Sequence, residues 1–374
     1  MIEASLPRAA FFALAFFTLL APMAHSALLD EDEDVAPPDP YGIIEEATRA
    51  IVLNPADANA YNSRAAAYRG LGRPDRALAD LNRAVTLKPE VAEYWEKRGE
   101  ALREIGNPAA AIADFNRAIA LDPEYESAFA GRGLARYALG EYRKAVDDYT
   151  HAIALDPLDD LTYNNRGNAL VETGESDKAL ADYGNAIDIN PDNANARYNR
   201  AQATIAGGRH AAALEDLDYV IETAPNDVEA LALRAEALIA LGSDRAAVDD
   251  LNRTLALDPH NAEAWGKRGL ARVRLGETGG GMDDLTNAID LEPSAENHVN
   301  RGNAAYQMGD YPKALKDFDR ALDLKPEFQQ AWLRRAKTHE KLGNTGAATG
   351  DYQAAARRGN GQAKRLLKAR NIAW

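Results

Sequence analysis

The 374-residue sequence contains no cysteine, which excludes disulfides, thiolate zinc sites and thiol nucleophiles. Its six histidines never stand three or four positions apart, so surface or packing roles are favoured over a metal site. No serine lies in a nucleophile-elbow pattern, and Gly279–Gly281 lacks the Lys-Ser/Thr that completes a phosphate loop. We therefore expect no catalytic residue, metal or cofactor.

Positive charge is also scarce. Lysine and arginine total 43 against 58 acidic residues, which gives a net charge of -15. Contacts to nucleic-acid phosphates need clustered cations, so this balance disfavours a nucleic-acid partner.

Residues 1–26 have the pattern of an export signal. Arg8 precedes an apolar run at 9–20, and Ala24-His-Ser26 offers small residues where signal peptidase cuts. The run is too short for a comfortable membrane span. We expect cleavage after Ser26, no membrane insertion afterwards and a periplasmic or secreted chain; the alternative is an uncleaved N-terminal membrane anchor. Residues 27–40, with Asp30–Asp34 and three prolines, are predicted to form a disordered linker.

The remaining sequence is organised by a fixed spacing. One proline recurs every 34 residues, with a final step of 33: Pro55, Pro89, Pro123, Pro157, Pro191, Pro225, Pro259, Pro293 and Pro326. Glycines and small residues repeat with the same step, and one residue is missing between Pro293 and Arg301. A constant period of this length predicts a stack of small units, each in contact only with its neighbours.

One unit reads as two helices joined by a tight turn. Between Ala92 and Glu104, apolar and small residues follow helical spacing, and Gly106-Asn-Pro108 interrupts the helix and starts another. The second helix ends before Pro123, because the residue before a proline avoids helical geometry. Each unit is therefore predicted to be an antiparallel helical hairpin.

These residues resemble the tetratricopeptide repeat family. The resemblance rests on Trp95-Glu-Lys-Arg-Gly99-Glu-Ala-Leu102, on Ala111-Ile-Ala-Asp-Phe115 and on Pro123. It implies an all-α fold, a right-handed superhelical solenoid whose first helices line the concave face. We assign nine repeats to 58–356, a half repeat with a single helix to 41–57, and a C-terminal capping helix to 357–374.

One departure from the family pattern is systematic. Where the family usually has leucine, every unit has arginine: Arg64, Arg98, Arg132, Arg166, Arg200, Arg234, Arg268, Arg301 and Arg335. An aspartate follows each of them by 16 residues: Asp80, Asp114, Asp148, Asp182, Asp216, Asp250, Asp284, Asp317 and Asp351. The turn glycine lies midway, so the hairpin brings the two charges level. We predict nine Arg–Asp bridges within the units; an arginine stripe for an anionic ligand is the alternative.

The first helices also supply candidate binding residues, two and five positions after the Trp95-like residue. These are Asn164 (adjacent to that face), Asn165, Asn168, Asn199, Gln202, Asn300, Asn303, Arg334 and Lys337. Side-chain amides both donate and accept hydrogen bonds, so they can hold a peptide backbone without reading its side chains. Asn300 and Arg334 also resemble part of the clamp with which tetratricopeptide cochaperones hold a C-terminal carboxylate. The alternative is that these amides are only solvated.

Together these observations predict a non-catalytic scaffold that binds a protein or an extended peptide in its concave groove. Two other functions remain open: a self-associating structural protein, and a detached recognition subunit of an enzyme complex. The sequence does not specify an oligomeric state.

Overall fold

The structure, a computed structural model, describes residues 39–374. These residues form twenty α-helices and no strand. The helices are α1 Pro40–Leu53, α2 Ala58–Gly70, α3 Pro74–Leu87, α4 Ala92–Glu104, α5 Pro108–Leu121, α6 Glu126–Ala138, α7 Tyr142–Leu155, α8 Asp160–Glu172, α9 Ser176–Ile189, α10 Ala194–Ala206, α11 His210–Thr223, α12 Val228–Ala240, α13 Asp244–Leu257, α14 Ala262–Arg274, α15 Thr278–Leu291, α16 Ala295–Gln307, α17 Tyr311–Leu324, α18 Gln329–Lys341, α19 Thr345–Arg357 and α20 Gly361–Ala369.

Nine helical hairpins run from α2/α3 to α18/α19, as the period predicts. The turn glycines from Gly72 to Gly343 have φ between 66° and 83°, a left-handed conformation that side chains with a Cβ disfavour. This conformation ends each first helix and lets the second helix begin within a few residues. The prediction of an all-α repeat solenoid is confirmed.

The two predicted N-terminal segments lie largely outside the described residues. The export signal at 1–26 is outside them entirely, and only Asp39 and Pro40 of the 27–40 linker are described. These two residues begin α1: the Asp39 side chain accepts hydrogen bonds from the backbone N–H groups of Tyr41 and Gly42, and Pro40 is the first helical residue. Such a cap satisfies N–H groups that have no partner inside the helix.

The missing residue lies in a loop between units. Loops such as Asn54–Asp57 have four residues, whereas the loop from Glu292 to Ser294 has three. The Asn297 side chain donates a hydrogen bond to the Glu292 carbonyl at 2.8 Å, which ties the short loop to the start of α16. The deletion therefore leaves the helices themselves unchanged in length.

Packing is local throughout the stack. Each helix packs against its sequence neighbours, and first helices of successive units also approach one another from α4 to α18. No comparable approach links successive second helices within the described residues. The first helices consequently line the inner side of the curve. At the far end, α20 packs on α19, with Ala363 and Leu367 buried.

The nine predicted Arg–Asp bridges are all present. In every unit, Nε and Nη2 of the arginine both donate to the aspartate, at 2.6–3.1 Å. The aspartates are buried and the arginines are only partly exposed. Two parallel charge-assisted bonds fix the orientation of both side chains. The arginines therefore hold the hairpins together and do not form an open stripe for a ligand.

The remaining nitrogen, Nη1, reaches the second helix of the preceding unit in eight of the nine cases. Its acceptors are Thr48, Asn82, Asn116, Thr150, Asp218, Asn252, Thr286 and Asp319. The exception is Arg200, because the equivalent position holds Gly184, which has no side chain to accept the bond. The Arg200 side chain is also the most exposed of the nine, at 32%. The sequence did not lead us to predict this second set of bonds.

We expect Arg166→Met to lower the free energy of unfolding by about 3 kcal/mol, because it leaves the buried Asp182 carboxylate unpaired. Combining it with Asp182→Leu removes both charges, so the double variant should lose much less. Urea unfolding of the two single variants and the double variant measures the coupling. Strictly additive losses would show that the two side chains do not stabilise each other.

Gly184→Asn should supply the missing acceptor for Arg200. A Cβ at Gly184 has no heavy atom within 4 Å, so there is room for a side chain. The control is Gly350→Asn, another helical glycine with open space around it. We expect Gly184→Asn to raise the free energy of unfolding by about 1 kcal/mol more than the control, the contribution of one hydrogen bond. Equal gains in urea unfolding would contradict this.

Candidate functional site

The candidate site is the inner face, the surface of each first helix that faces first helices of adjacent units. Side-chain contacts across this surface define it. Asn62 on α2 donates to Glu93 on α4 at 2.8 Å, and Lys267 on α14 contacts Glu236 on α12 at 2.7 Å. Lys267 stands two positions after Trp265, which is the position that the sequence analysis assigned to this surface.

The amides of α8 and α10 form the central part of the inner face, and some of them bond within the protein. Asn164 is buried, and its Oδ1 accepts a hydrogen bond from Nδ2 of Asn199 at 2.9 Å. Oδ1 of Asn168 accepts from the Tyr183 hydroxyl at 2.7 Å. Bonds such as these orient the amides and leave fewer groups for a ligand.

Other predicted amides make no side-chain hydrogen bond within the described residues. Asn165 is partly exposed on α8, Gln202 is exposed on α10, and Asn300 is partly exposed on α16. Oδ1 of Asn303 is buried without a partner. Asn165, Gln202 and Asn300 therefore keep both donors and acceptors available.

Helix α18 contributes a cationic patch, which we define as Arg334, Lys337 and Lys341. Nε of Arg334 is buried without a hydrogen-bond partner. Burial and the neighbouring Arg334 charge lower the pKa of Lys337. None of the three forms an ion pair within residues 39–374. The patch therefore carries positive charge that the described part of the chain does not neutralise.

At the opposite end, α4 carries an acidic cluster that the sequence analysis missed. Glu96 is 0% exposed, with Lys97 Nζ 3.1 Å away, and its Oε2 accepts from the Tyr125 hydroxyl at 3.4 Å. Burial, followed by repulsion from Glu100, raises the pKa of Glu96 to about 7. Glu100 remains ionised: burial opposes ionisation, but the Arg69 guanidinium lowers its pKa.

A signal for this cluster exists in the sequence. Glu100 stands five residues after Trp95, a position that the rule for the amides selects, and Glu96 stands beside that face at the position that Asn164 has in its own unit. Carboxylates at these positions were not among the predicted binding residues, which were amides and cations. Neither this cluster nor any other group of histidine, aspartate and glutamate side chains in residues 39–374 is arranged to hold a metal ion. No helix there is long and apolar enough to cross a membrane.

Glu96→Gln should remove part of the pH dependence of stability. Since the folded pKa is raised from about 4.5 to about 7, the folded state binds an extra proton in that interval, and wild-type stability should fall as pH rises through it. We expect Glu96→Gln to be more stable than wild type at pH 8, by on the order of 1–3 kcal/mol, and equally stable at pH 4. Exposed Glu90→Gln is the control. If the free energies of unfolding of wild type and Glu96→Gln, measured with urea, changed with pH in parallel, the raised pKa of Glu96 would be contradicted.

Models of tetratricopeptide repeats match several parts of the chain. One described as a TPR repeat matches 133–174 and 167–206, and three described as tetratricopeptide repeats match 46–79, 63–126 and 295–328. Together they span about half of the chain. A comparison with curated protein sequences found no match.

Several solved structures are similar to part of this chain. The structure of pilF from Pseudomonas aeruginosa is 16% identical, with 58% of this chain and 94% of that chain covered and a TM-score of 0.50. A tetratricopeptide repeat protein from Parabacteroides merdae is 21% identical, with 66% and 98% covered and a TM-score of 0.49. YrrB, described as a TPR protein with an unusual peptide-binding site, is 21% identical, with 50% and 96% covered and a TM-score of 0.44.

The repeat models and the observed helical hairpins agree on the architecture of the chain. Proteins of the family that the models identify are in general protein-interaction scaffolds and are typically non-catalytic. The chain belongs to the tetratricopeptide repeat family.

Proposed function

We propose that the chain is a non-catalytic scaffold that holds a partner protein, through an extended peptide segment, along its inner face. The observation that carries the proposal is a set of inner-face amides on three first helices that keep their hydrogen-bonding groups available. Asn165, Gln202 and Asn300 lie on α8, α10 and α16 without a side-chain partner in the described chain. An extended peptide presents backbone N–H and C=O groups that such amides can satisfy.

The internal bonds of the other amides support this proposal. Asn199 holds Asn164, and Tyr183 holds Asn168, so this part of the inner face is ordered before any ligand arrives. Ordering side chains in advance reduces the entropy that binding would otherwise cost. The adjacent first helices present their side chains at regular intervals, which suits an extended ligand better than a compact one.

We also propose that this binding takes place outside the cytoplasm. The support is the signal-like sequence at 1–26, in which a short apolar run precedes Ala24-His-Ser26. The chain recovered from cells should then begin at Ala27, and its partner should be found in the cell envelope.

The test is capture of partners from a cell-envelope extract by wild type and by a variant with Asn165→Ala, Gln202→Ala and Asn300→Ala. These three side chains make no internal hydrogen bond, so their loss should leave the fold intact. We expect the variant to retain less than about a tenth of the bound partner, because losing several hydrogen bonds of about 1 kcal/mol each exceeds a tenfold change in affinity.

The matched control replaces Asn185 and Asn226, exposed asparagines on α9 and in the loop after α11. It should capture as much partner as wild type. Circular dichroism melting of all three proteins checks that folding is unchanged. Equal capture by the inner-face variant and the control would refute the proposal.

A further inference from the structure

Three first helices carry a cation at the same inner-face position, two residues after tryptophan: Lys97, Lys267 and Arg334. The first two are neutralised within the protein. Lys97 Nζ lies 3.1 Å from Glu96 and 3.8 Å from Glu100. The protein therefore balances the charge of this inner-face cation with carboxylates of its own.

The environment of Lys267 shows where such carboxylates stand. Its Nζ lies 2.7 Å from Glu236 on the preceding first helix and 2.8 Å from Glu263 on its own helix. Glu236 is 31 residues before the lysine and Glu263 is four residues before it.

Arg334 has amides at both of those positions. Thirty-one residues before it stands Asn303, and four residues before it stands Gln330. Nε of Arg334 and Oδ1 of Asn303 are both buried without a hydrogen-bond partner. The nearby carboxylate of Glu340 is engaged elsewhere, since it accepts from the Tyr352 hydroxyl at 2.6 Å and pairs with Arg370 at 2.5 Å. Arg334 therefore stands at the position of Lys267 without the carboxylates that pair with Lys267.

Neighbouring cations extend this unpaired site. Lys337 lies on the same helix, one turn after Arg334, and Lys341 is exposed one turn further on. Three cations spaced by three or four residues form one row along the helix. A segment with several consecutive carboxylates fits such a row better than a single anion does.

The chain itself contains a segment with this chemistry. Asp30, Glu31, Asp32, Glu33 and Asp34 are five consecutive acids. Asp34 is five residues before Asp39, which caps α1, so the intervening chain spans at most about 17 Å. Helix α18 belongs to the ninth unit, and each unit advances the stack by roughly one interhelical distance of about 8–10 Å. The acidic segment is therefore too short to reach the patch on its own chain.

We propose that residues 30–34 of one copy bind the Arg334–Lys337–Lys341 patch of a second copy. The contact joins the start of one solenoid to the last unit of the next, so it uses two different surfaces. Contacts of this type build rings or open chains rather than closed dimers. The inference rests on the proposed role of the inner face as a binding surface for extended segments. It identifies the acidic segment of a second copy as one ligand of that surface.

The experiment is sedimentation velocity of the purified chain over a hundredfold range of concentration, at about 50 mM and about 500 mM salt. Wild type should associate as concentration rises, and less at high salt, because exposed charge pairs are screened. A variant with the five acids changed to Asn or Gln should remain monomeric. Asn303→Glu should also remain monomeric, because it supplies Arg334 with the internal carboxylate that Lys267 has.

Lys337→Ala tests the patch directly, and Lys316→Ala is its control. Lys316 is an exposed lysine on α17 outside the inner face, and its loss changes the net charge equally. We expect Lys337→Ala to weaken association about tenfold and Lys316→Ala to leave it unchanged. A wild-type chain that stays monomeric throughout, or association that survives neutralisation of the five acids, would overturn the inference.

The outcome is separable from the test of the proposed function. Envelope capture depends on Asn165, Gln202 and Asn300, which none of these variants alters. A wild-type chain that stays monomeric while its capture still depends on the three amides removes this inference alone. A wild-type chain that self-associates while the amide variant captures as much partner as wild type removes only the amide-based proposal. A fluorescent peptide of residues 27–39 should bind the acid-neutralised chain and not its Asn303→Glu derivative, and failure to bind would also count against the inference.

Discussion

The fold depends on one arginine per unit, which in eight of the nine units connects three helices. Nε and Nη2 hold the aspartate of the unit's own second helix, and Nη1 reaches back to the second helix before it. Arg98 shows the full arrangement, with Asp114 at 2.6 and 2.7 Å and Asn82 at 3.0 Å. The guanidinium also lies 4.8 Å from the Trp95 ring centroid. A planar group with five donors suits this task, and lysine could not replace it. Such a pair adds little net stability over an apolar alternative, but it allows one relative placement of the helices.

The sequence was sufficient to predict the hairpins and the Arg–Asp pairs because both depend on position within a fixed period. The turn glycine lies eight residues from each partner, so folding there brings Arg166 and Asp182 together whatever the rest of the unit contains. The bond from Nη1 to the preceding unit was harder to predict. Its acceptor is Asn, Thr or Asp in different units, so no single residue type marks the position. That Gly184 lacks an acceptor becomes evident only when the other eight bonds are known.

The inner face was predicted less completely, and for a different reason. Helical spacing places Asn164, Asn168 and Asn199 on or near one surface, but spacing does not decide which groups bond to each other. That Asn168 accepts from Tyr183 depends on the distance between a first helix and its own second helix. The buried Glu96 accepts from Tyr125, the residue that precedes α6, and this contact depends on how α6 packs beside α4. The polar residues on this face therefore form two groups, those that bond within the protein and those that keep free hydrogen-bonding groups. Only the packed structure distinguishes the two groups.

Polar residues of the inner face have a structural role at the boundary between α9 and α10. Here Gly184 deprives Arg200 of its bond to the preceding unit, so the usual connection between units is absent. On the inner face, the same two units are joined by the Asn199–Asn164 hydrogen bond, and Asn193 donates to Asp160 at 2.7 Å. Side-chain amides thus replace the arginine as the polar link at this boundary. The relative placement of these two units therefore depends on amides of the inner face, whereas the other described units also have the arginine bond.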